Sequence, residues 1–293
     1  MDNFIVLYNP LAGNGTAQDK MRELESLMQG DRLYFSNMLD IRDYGAFFND
    51  MPDGASIIIC GGDGTLNRFL NDTEDIRPDC DIYYYPSGSG NDFARNIGAE
   101  RGAPPVLINR YIEHLPKICV NGKEHRFING IGYGIDGYCC EKGDELRGKG
   151  NGEVNYTAIA IKGLLFHYKP TGATITVDGV EHRFEKVWLA PTMIGRYYGG
   201  GMMPTPEQDR LNADGEVSVM VYYGSGKLKS LAVFPSIFKG EHIKHSEMVA
   251  VLSGRNITVC FDEPRPLQID GETVPGVREY SVTACEEKVL QPA

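Results

Sequence analysis

The apolar run Ala55–Cys60 stops at Gly61-Gly62-Asp63-Gly64-Thr65, and apolar residues then return as Leu66, Phe69 and Leu70. A short buried strand, a glycine turn and a helix of period 3.6 make a βα unit, whose next strand runs parallel to the first. Two units of the same kind flank it. Phe4–Asn9 is an apolar run that leads into Asn9-Pro10-Leu11-Ala12-Gly13-Asn14-Gly15, followed by Met21, Leu24, Leu27 and Met28 at helical spacing. Asp81–Pro86 leads into Ser87-Gly88-Ser89-Gly90-Asn91-Asp92 and a short helix closed by Gly98. Strand and helix in alternation predict a doubly wound parallel sheet, with ligands beyond the carboxyl ends of its strands. All three glycine loops leave strands at that end.

After Pro116 the texture changes. Lys117–Gly130 reads as strand, Asn121-Gly122 turn and strand, which is hairpin chemistry, and Ala173–Pro191 repeats it around Asp178-Gly179. Gly215–Tyr223, Asn256–Phe261 and Glu279–Cys285 are further alternating strands, with helices expected over Gly152–Tyr168 and Lys227–Phe238. The chain therefore reads as α/β plus β: an N-terminal doubly wound parallel sheet over 1–117 and a C-terminal antiparallel β-sandwich over 118–286.

With 293 residues, 42% of them hydrophobic, there is material for two ordinary domains with real cores. The formal net charge of −11 argues against nucleic acid as a partner, because that partner demands basic surface. No apolar run reaches the roughly 18–20 residues that span a bilayer. The start lacks a basic segment and a small-residue cleavage site, and the seven cysteines form no CxxC pair, so a reduced cytoplasmic setting is expected.

The three loops carry the chemistry. Each offers glycine amides at a helix start, where N–H groups and the helix dipole favour anions. Asn9, Thr65, Ser87, Ser89 and Asn91 add polar side chains able to donate to phosphate oxygens, and Asp63 is suited to a cation that neutralises phosphate charge. One such loop alone is as readily an ordinary βα turn; three at one sheet edge point to phosphate.

The set Asn9-Pro10-x-Ala12-Gly13, Gly61–Asn67 and Pro86-x-Gly88-Ser89-Gly90-Asn91-Asp92-Phe93-Ala94-Arg95 resembles the soluble diacylglycerol kinase catalytic domain family, which includes bacterial lipid kinases and the sphingosine and ceramide kinases. Phe127–Asp136, Gly199–Met202, Asp214-Gly215 and Gln268–Thr273 extend the resemblance over nearly the whole chain. It implies an ATP-dependent kinase acting on a lipid hydroxyl, with the nucleotide in the cleft between an α/β and a β-sandwich domain, and with the last residues, 287–293, returning to the first domain. It implies ATP and Mg²⁺ as cofactors. Asn9, Gly62, Asp63, Gly64, Thr65, Gly88, Ser89, Asn91 and Asp92 would hold the nucleotide, and Asp63 would position the metal. Asp270 would accept the proton of the attacking hydroxyl, assisted by Glu272; its Asp-Gly step is equally the mark of a plain hairpin turn. Asp214 would bind a second, structural Mg²⁺, or again form only a turn. The family often carries a basic residue after the first motif's glycine; here the first is Lys20.

Other patterns carry less. Gly132–Gly137 matches GxGxxG without a convincing βαβ unit and reads as chance, and no GxxxxGK[ST] occurs. His242 and His245 read as solvated histidines. Kinases of soluble acceptors, such as NAD kinase and phosphofructokinase, share Gly-Gly-Asp-Gly-Thr but not the Pro86–Asn96 loop; a binding protein without turnover is the other alternative. Gly226–His245 sets Lys227, Lys229, Lys239 and Lys244 against Glu241 in an acidic chain, with apolar residues on one side. It fits either a helix packed on the β domain or peripheral contact with the anionic inner face of a membrane. A lipid substrate is the expected partner, and a homodimer stays open.

Overall fold

The computed structural model describes residues 2–10, 17–76, 78–88, 90–148, 159, 162–163 and 167–285. The expected return of 287–293, most of the helix expected at Gly152–Tyr168, and Ser89 lie outside them. The chain forms two compact units, Met1–His114 and Leu115–Ala293.

The first unit runs β1 (Asn3–Tyr8), α1 (Ala17–Leu27), β2 (Arg32–Asn37), α2 (Tyr44–Asn49), β3 (Ser56–Gly61), α3 (Asp63–Asp72), β4 (Ile82–Pro86), α4 (Asp92–Ile97), β5 (Val106–Leu107) and α5 (Asn109–Ile112). Its sheet has the order β2-β1-β3-β4-β5; the first four strands are parallel and β5 closes the edge antiparallel. Val6, Leu7 and Ile57–Ile59 are fully buried, as strands covered on both faces must be. Val6 and Ile58 pack with Leu24 of α1 on one face. On another, Phe69 of α3 meets Tyr44 of α2 edge to face at 5.8 Å.

The second unit runs β6 (Lys117–Val120), β7 (Lys123–Arg126), β8 (Gly130–Tyr133), α6 (Ile135–Gly148), β9 (Thr171–Val177), β10 (Val180–Val187), β11 (Thr192–Met193), β12 (Val217–Tyr222), α7 (Lys227–Val233), the 3₁₀ turns Phe234–Lys239 and Glu241–Lys244, β13 (Val249–Gly254), β14 (Asn256–Ile269) and β15 (Glu272–Thr283). The two expected hairpins are present. Asn121 and Asp178 take φ of 52° and 47° ahead of Gly122 and Gly179, the left-handed pair that a two-residue turn demands. Asp270-Gly271 is a third such turn, between β14 and β15.

Three sequence readings change. The strand expected at Asn256–Phe261 continues to Ile269 as one strand, β14. Its first half pairs β9 and its second half β8, so it takes part in both branches of the antiparallel sheet. Its register against β15 shifts between Cys260 and Arg265 and again before Leu267, around Pro264 and Pro266, which have no N–H to give the ladder. Second, β12 is buried along its whole length rather than alternating, with Val233 and Ile237 packed in one cluster with Met220 and Tyr222. Third, the Lys227–Phe238 helix stops at Val233 and tightens into a 3₁₀ turn where Pro235 removes a donor. At the centre of this unit Tyr133 lies 4.3 Å from Phe261 and 5.5 Å from Tyr280 between ring centroids, and the hydroxyls of Tyr133 and Tyr280 are both hydrogen-bonded.

Gly137 of α6 faces the backbone of β14: a Cβ built on it would lie 2.0 Å from the Pro266 carbonyl oxygen. Gly137→Ala should therefore destabilise the fold by about 2–3 kcal/mol, as overpacking against rigid backbone does. Thermal unfolding of the variant checks this; an unchanged midpoint would contradict the packing.

Candidate active site

Gly62 caps α3 in extended conformation, and its carbonyl accepts from Thr65 N at 3.0 Å and Leu66 N at 3.1 Å. The following loop comes against it at backbone distance. A Cβ on Gly62 would lie 3.0 Å from Gly88 Cα, and one on Gly88 only 2.5 Å from Gly62 Cα. Ser87 N donates to Gly61 O at 2.9 Å. Glycine is thus required at both positions by contact between loops.

Asp63 fastens the two. One carboxylate oxygen accepts from Asp92 N at 2.9 Å and the other from Phe93 N at 3.0 Å, the amides that open α4. Asn91 takes the left-handed conformation (φ 51°), and its Nδ2 donates to Gly88 O at 2.8 Å. Thr65 is buried beneath this junction, where a Cβ on Gly61 would strike its side chain. Tyr84 lies behind the loops, its phenol pushed far up by burial and then by the nearby Asp63 carboxylate. Asn9 is half-buried at the carboxyl end of β1, the same edge of the sheet.

Gly64 differs from its neighbours, because a Cβ there would meet nothing within 4 Å. Among the described residues the face of the loop at Gly64 is open, as an approaching phosphate requires. A Cβ on Gly90 would lie 3.5 Å from an Asp63 oxygen and 3.9 Å from an Asp92 oxygen, so both carboxylates border the same corner. Among the described residues no three His, Cys, Asp or Glu side chains gather into a ready metal cage. Mg²⁺ commonly binds through one or two carboxylates, waters and substrate phosphates, and Asp63 with Asp92 fits that donor set.

In the second unit the Asp270 carboxylate accepts three consecutive backbone amides: Ile128 N at 2.6 Å, Asn129 N at 2.9 Å and Gly130 N at 3.1 Å. Asp270 N returns a bond to Gly130 O at 3.1 Å. The hairpin turn and a firmly anchored carboxylate are therefore both present in one residue. Arg210, buried, donates to Ile128 O and stiffens the same segment. Glu272 is exposed at the start of β15. Asp214 is exposed on a turn in which Arg255 donates to its carbonyl at 2.9 Å. The sequence singled out Phe127–Asp136 but not its contact with Asp270, because the donors are backbone N–H groups.

Two secondary readings are corrected or refined. His242 is fully buried and bonded through Nε2 to Pro204 O at 2.9 Å, with burial lowering its basicity; it is no solvated histidine. In Gly226–His245 the apolar residues Leu231, Phe234 and Ile237 pack on the core, while Leu228 and Phe238 stay 79% and 46% exposed among the lysines.

The family model for the diacylglycerol kinase catalytic domain matches residues 3–118, and the model for the YegS C-terminal NAD kinase beta sandwich-like domain matches residues 129–286. A diacylglycerol kinase of Mycobacterium tuberculosis (strain ATCC 25618 / H37Rv) is 27% identical over 246 residues, covering 81% of this chain and 77% of the relative. A diacylglycerol kinase of Bacillus subtilis (strain 168) is 29% identical over 224 residues, covering 74% and 70%. The crystal structure of a diacylglycerol kinase from Bacillus anthracis str. Sterne shares the fold, with a TM-score of 0.62 at 20% identity over 97% of this chain and 94% of that one.

The two loop glycines separate packing from ligand space. Gly88→Ala should lower stability by about 1–3 kcal/mol through the clash with Gly62. Gly64→Ala should leave stability unchanged or raise it by about 0.5 kcal/mol, yet weaken nucleotide binding. Chemical denaturation and nucleotide titration of both variants measure the contrast; unaltered nucleotide affinity in Gly64→Ala would remove the phosphate from this face.

Proposed function

The chain belongs to the diacylglycerol kinase catalytic-domain family and carries the YegS-type sandwich-like second domain, and from that premise we propose that it is a lipid kinase that uses MgATP to phosphorylate the hydroxyl of diacylglycerol or a related lipid alcohol. The observation that carries this reading is the Asp63 tie, which sets two glycine loops edge to edge with an open face at Gly64.

Phosphoryl transfer needs positioning and charge neutralisation more than covalent help. The amides of Gly62–Thr65, with Asn9, Thr65, Gly88, Ser89 and Asn91, would hold the triphosphate. Asp63 and Asp92 would hold Mg²⁺, which when bound neutralises charge on the phosphate oxygens. Asp270 would accept the hydroxyl proton as the new O–P bond forms and the bridging bond to ADP breaks. Its three N–H bonds stabilise the negative charge and fix its direction. In a loose transition state orienting the hydroxyl is the larger part of the task, so a firmly held carboxylate suits it.

The acceptor sits in a bilayer, and no described helix is long and apolar enough to cross one. Contact would then be peripheral, through Leu228 and Phe238 flanked by Lys227, Lys229, Lys239 and Lys244.

Incubation with labelled ATP and a lipid extract should place the label in a lipid; label only in soluble acceptors, or nucleotide binding without transfer, would sink the proposal. In the same assay Asp270→Asn should lower turnover by about 100-fold or more with nucleotide affinity intact. Glutamate at the four lysines should weaken binding to phosphatidylglycerol vesicles by at least about tenfold, and undiminished binding would discard this surface.

A further inference from the structure

The turn that carries Asp270 is held from a second side. Gly271 N donates to Gln268 Oε1 at 2.6 Å, and Gln268 Nε2 donates to Asp136 Oδ2 at 2.8 Å. Gln268 is buried on β14, and Asp136 stands in the first turn of α6, half-buried in a dense surrounding. Space for this chain of bonds is reserved by Gly132, on which a Cβ would lie 1.6 Å from Asp136 Oδ2 and 2.6 Å from Gln268 Nε2. Gly137, one residue beyond Asp136, brings α6 against the backbone of Pro266 and Leu267, directly before Gln268.

We propose that Asp136 is a positioning residue for Asp270, acting through the Gln268 amide to hold the Asp270-Gly271 turn on the amides of residues 128–130. The inference rests on the reading of Asp270 as the group that receives the substrate hydroxyl.

The chemistry explains why a carboxylate stands there. The two ends of a glutamine amide are nearly equal in shape and opposite in hydrogen-bonding sense. An ionised carboxylate accepts only. It draws the NH₂ of Gln268 toward itself and so turns Oε1 toward Gly271 N. A neutral partner that can also donate permits the amide to rotate, which would set NH₂ against the Gly271 N–H and release the turn. Among the described residues, the groups that face Asp136 are the Gln268 amide and the Tyr198 hydroxyl, with the Cys139 and Cys140 thiols nearby on its own helix. None of these is a cation. Burial raises the Asp136 carboxyl to about 6, opposed first by its hydrogen bond from Gln268. The native state therefore binds the proton more tightly than the unfolded chain, and the stability penalty grows as pH rises from the ordinary carboxyl range and is complete above pH 6. A group kept at that penalty is doing something that asparagine, of the same shape, would not do.

The test uses the full chain with wild type, Asp136→Asn, Gln268→Met and the double variant. Amide hydrogen exchange at Gly271 should quicken by about tenfold in each single variant, with no further gain in the double variant. Turnover in Asp136→Asn should fall by about tenfold with KM for MgATP unchanged. The fall in wild-type turnover that begins near pH 6 should lose its Asp136 component in this variant. Its unfolding midpoint at pH 8 should be no lower than wild type, which a mere packing role would not give. Unchanged exchange at Gly271, or an unaltered acid limb despite reduced turnover, overturns the proposal. Asp270→Asn run alongside separates the two readings: if that variant turns over normally, the base assignment falls, while the exchange data still judge the tie from Asp136 to the turn.

Discussion

A carboxylate seated on consecutive backbone amides recurs in each of the two units. Asp63 reaches 29 and 30 residues forward to the amides that open α4; Asp270 reaches 140 to 142 residues back to Ile128–Gly130. Each bond to a charged acceptor contributes roughly 1.5–3 kcal/mol, enough for either group to fix a loop that glycine would otherwise leave mobile. The device has a second consequence. Amides turned toward a carboxylate are held in one direction, so their neighbours in the same turn are presented in one direction too. Loops built from permissive residues thereby become rigid donors, which is what electrostatic catalysis of group transfer needs.

Much of the first unit was legible in the sequence because its signals are local. The strand ending at Cys60 and the helix beginning at Asp63 are announced by apolar period and by glycine, and the structure bounds them within a residue or two. The missed elements lack such signals. β2 lies at the sheet edge, half-exposed, with only Leu33–Phe35 as a short apolar run. α6 is rich in glycine and acidic residues and owes its place to packing against β14 rather than to its own propensity. Of β14 only Asn256–Phe261 shows as an alternating run; Pro264 and Pro266 mark the shift of register within a strand that pairs with two partners. The seat of Asp270 was out of reach, since a backbone amide leaves no trace in residue identity.

The basic segment after β12 shows how a correct pattern can have two readings. Its apolar side is real, but β12 presents Met220 and Tyr222 to be covered, and Leu231, Phe234 and Ile237 meet that need first. What remains outside is a smaller set, Leu228 and Phe238 with the lysines around them. Periodicity reports that a helix has an apolar face; only the demand of the neighbouring sheet decides how much of that face is left over. His242 was misread for the same reason, its burial being set by a carbonyl at Pro204 far away in sequence.

The GxGxxG match at Gly132–Gly137 sharpens the distinction between the chain's two classes of glycine. Each of its glycines has something pressed against it: the Asp136 and Gln268 side chains at Gly132, the Trp188 carbonyl at Gly134, where φ is also +99°, and the Pro266 carbonyl at Gly137. The spacing is that of a dinucleotide fingerprint because the physical requirement, close approach to a helix start, is the same; here the approaching group is the protein itself. At Gly64 none of the described residues fills the space that a side chain would take. A glycine crowded by its own chain is explained by folding, whereas one that faces nothing, at a helix start beside a held carboxylate, leaves room for a partner from outside. By that criterion Gly64 is left open by the described residues, whereas the Gly132–Gly137 run is packing around the Asp270 turn.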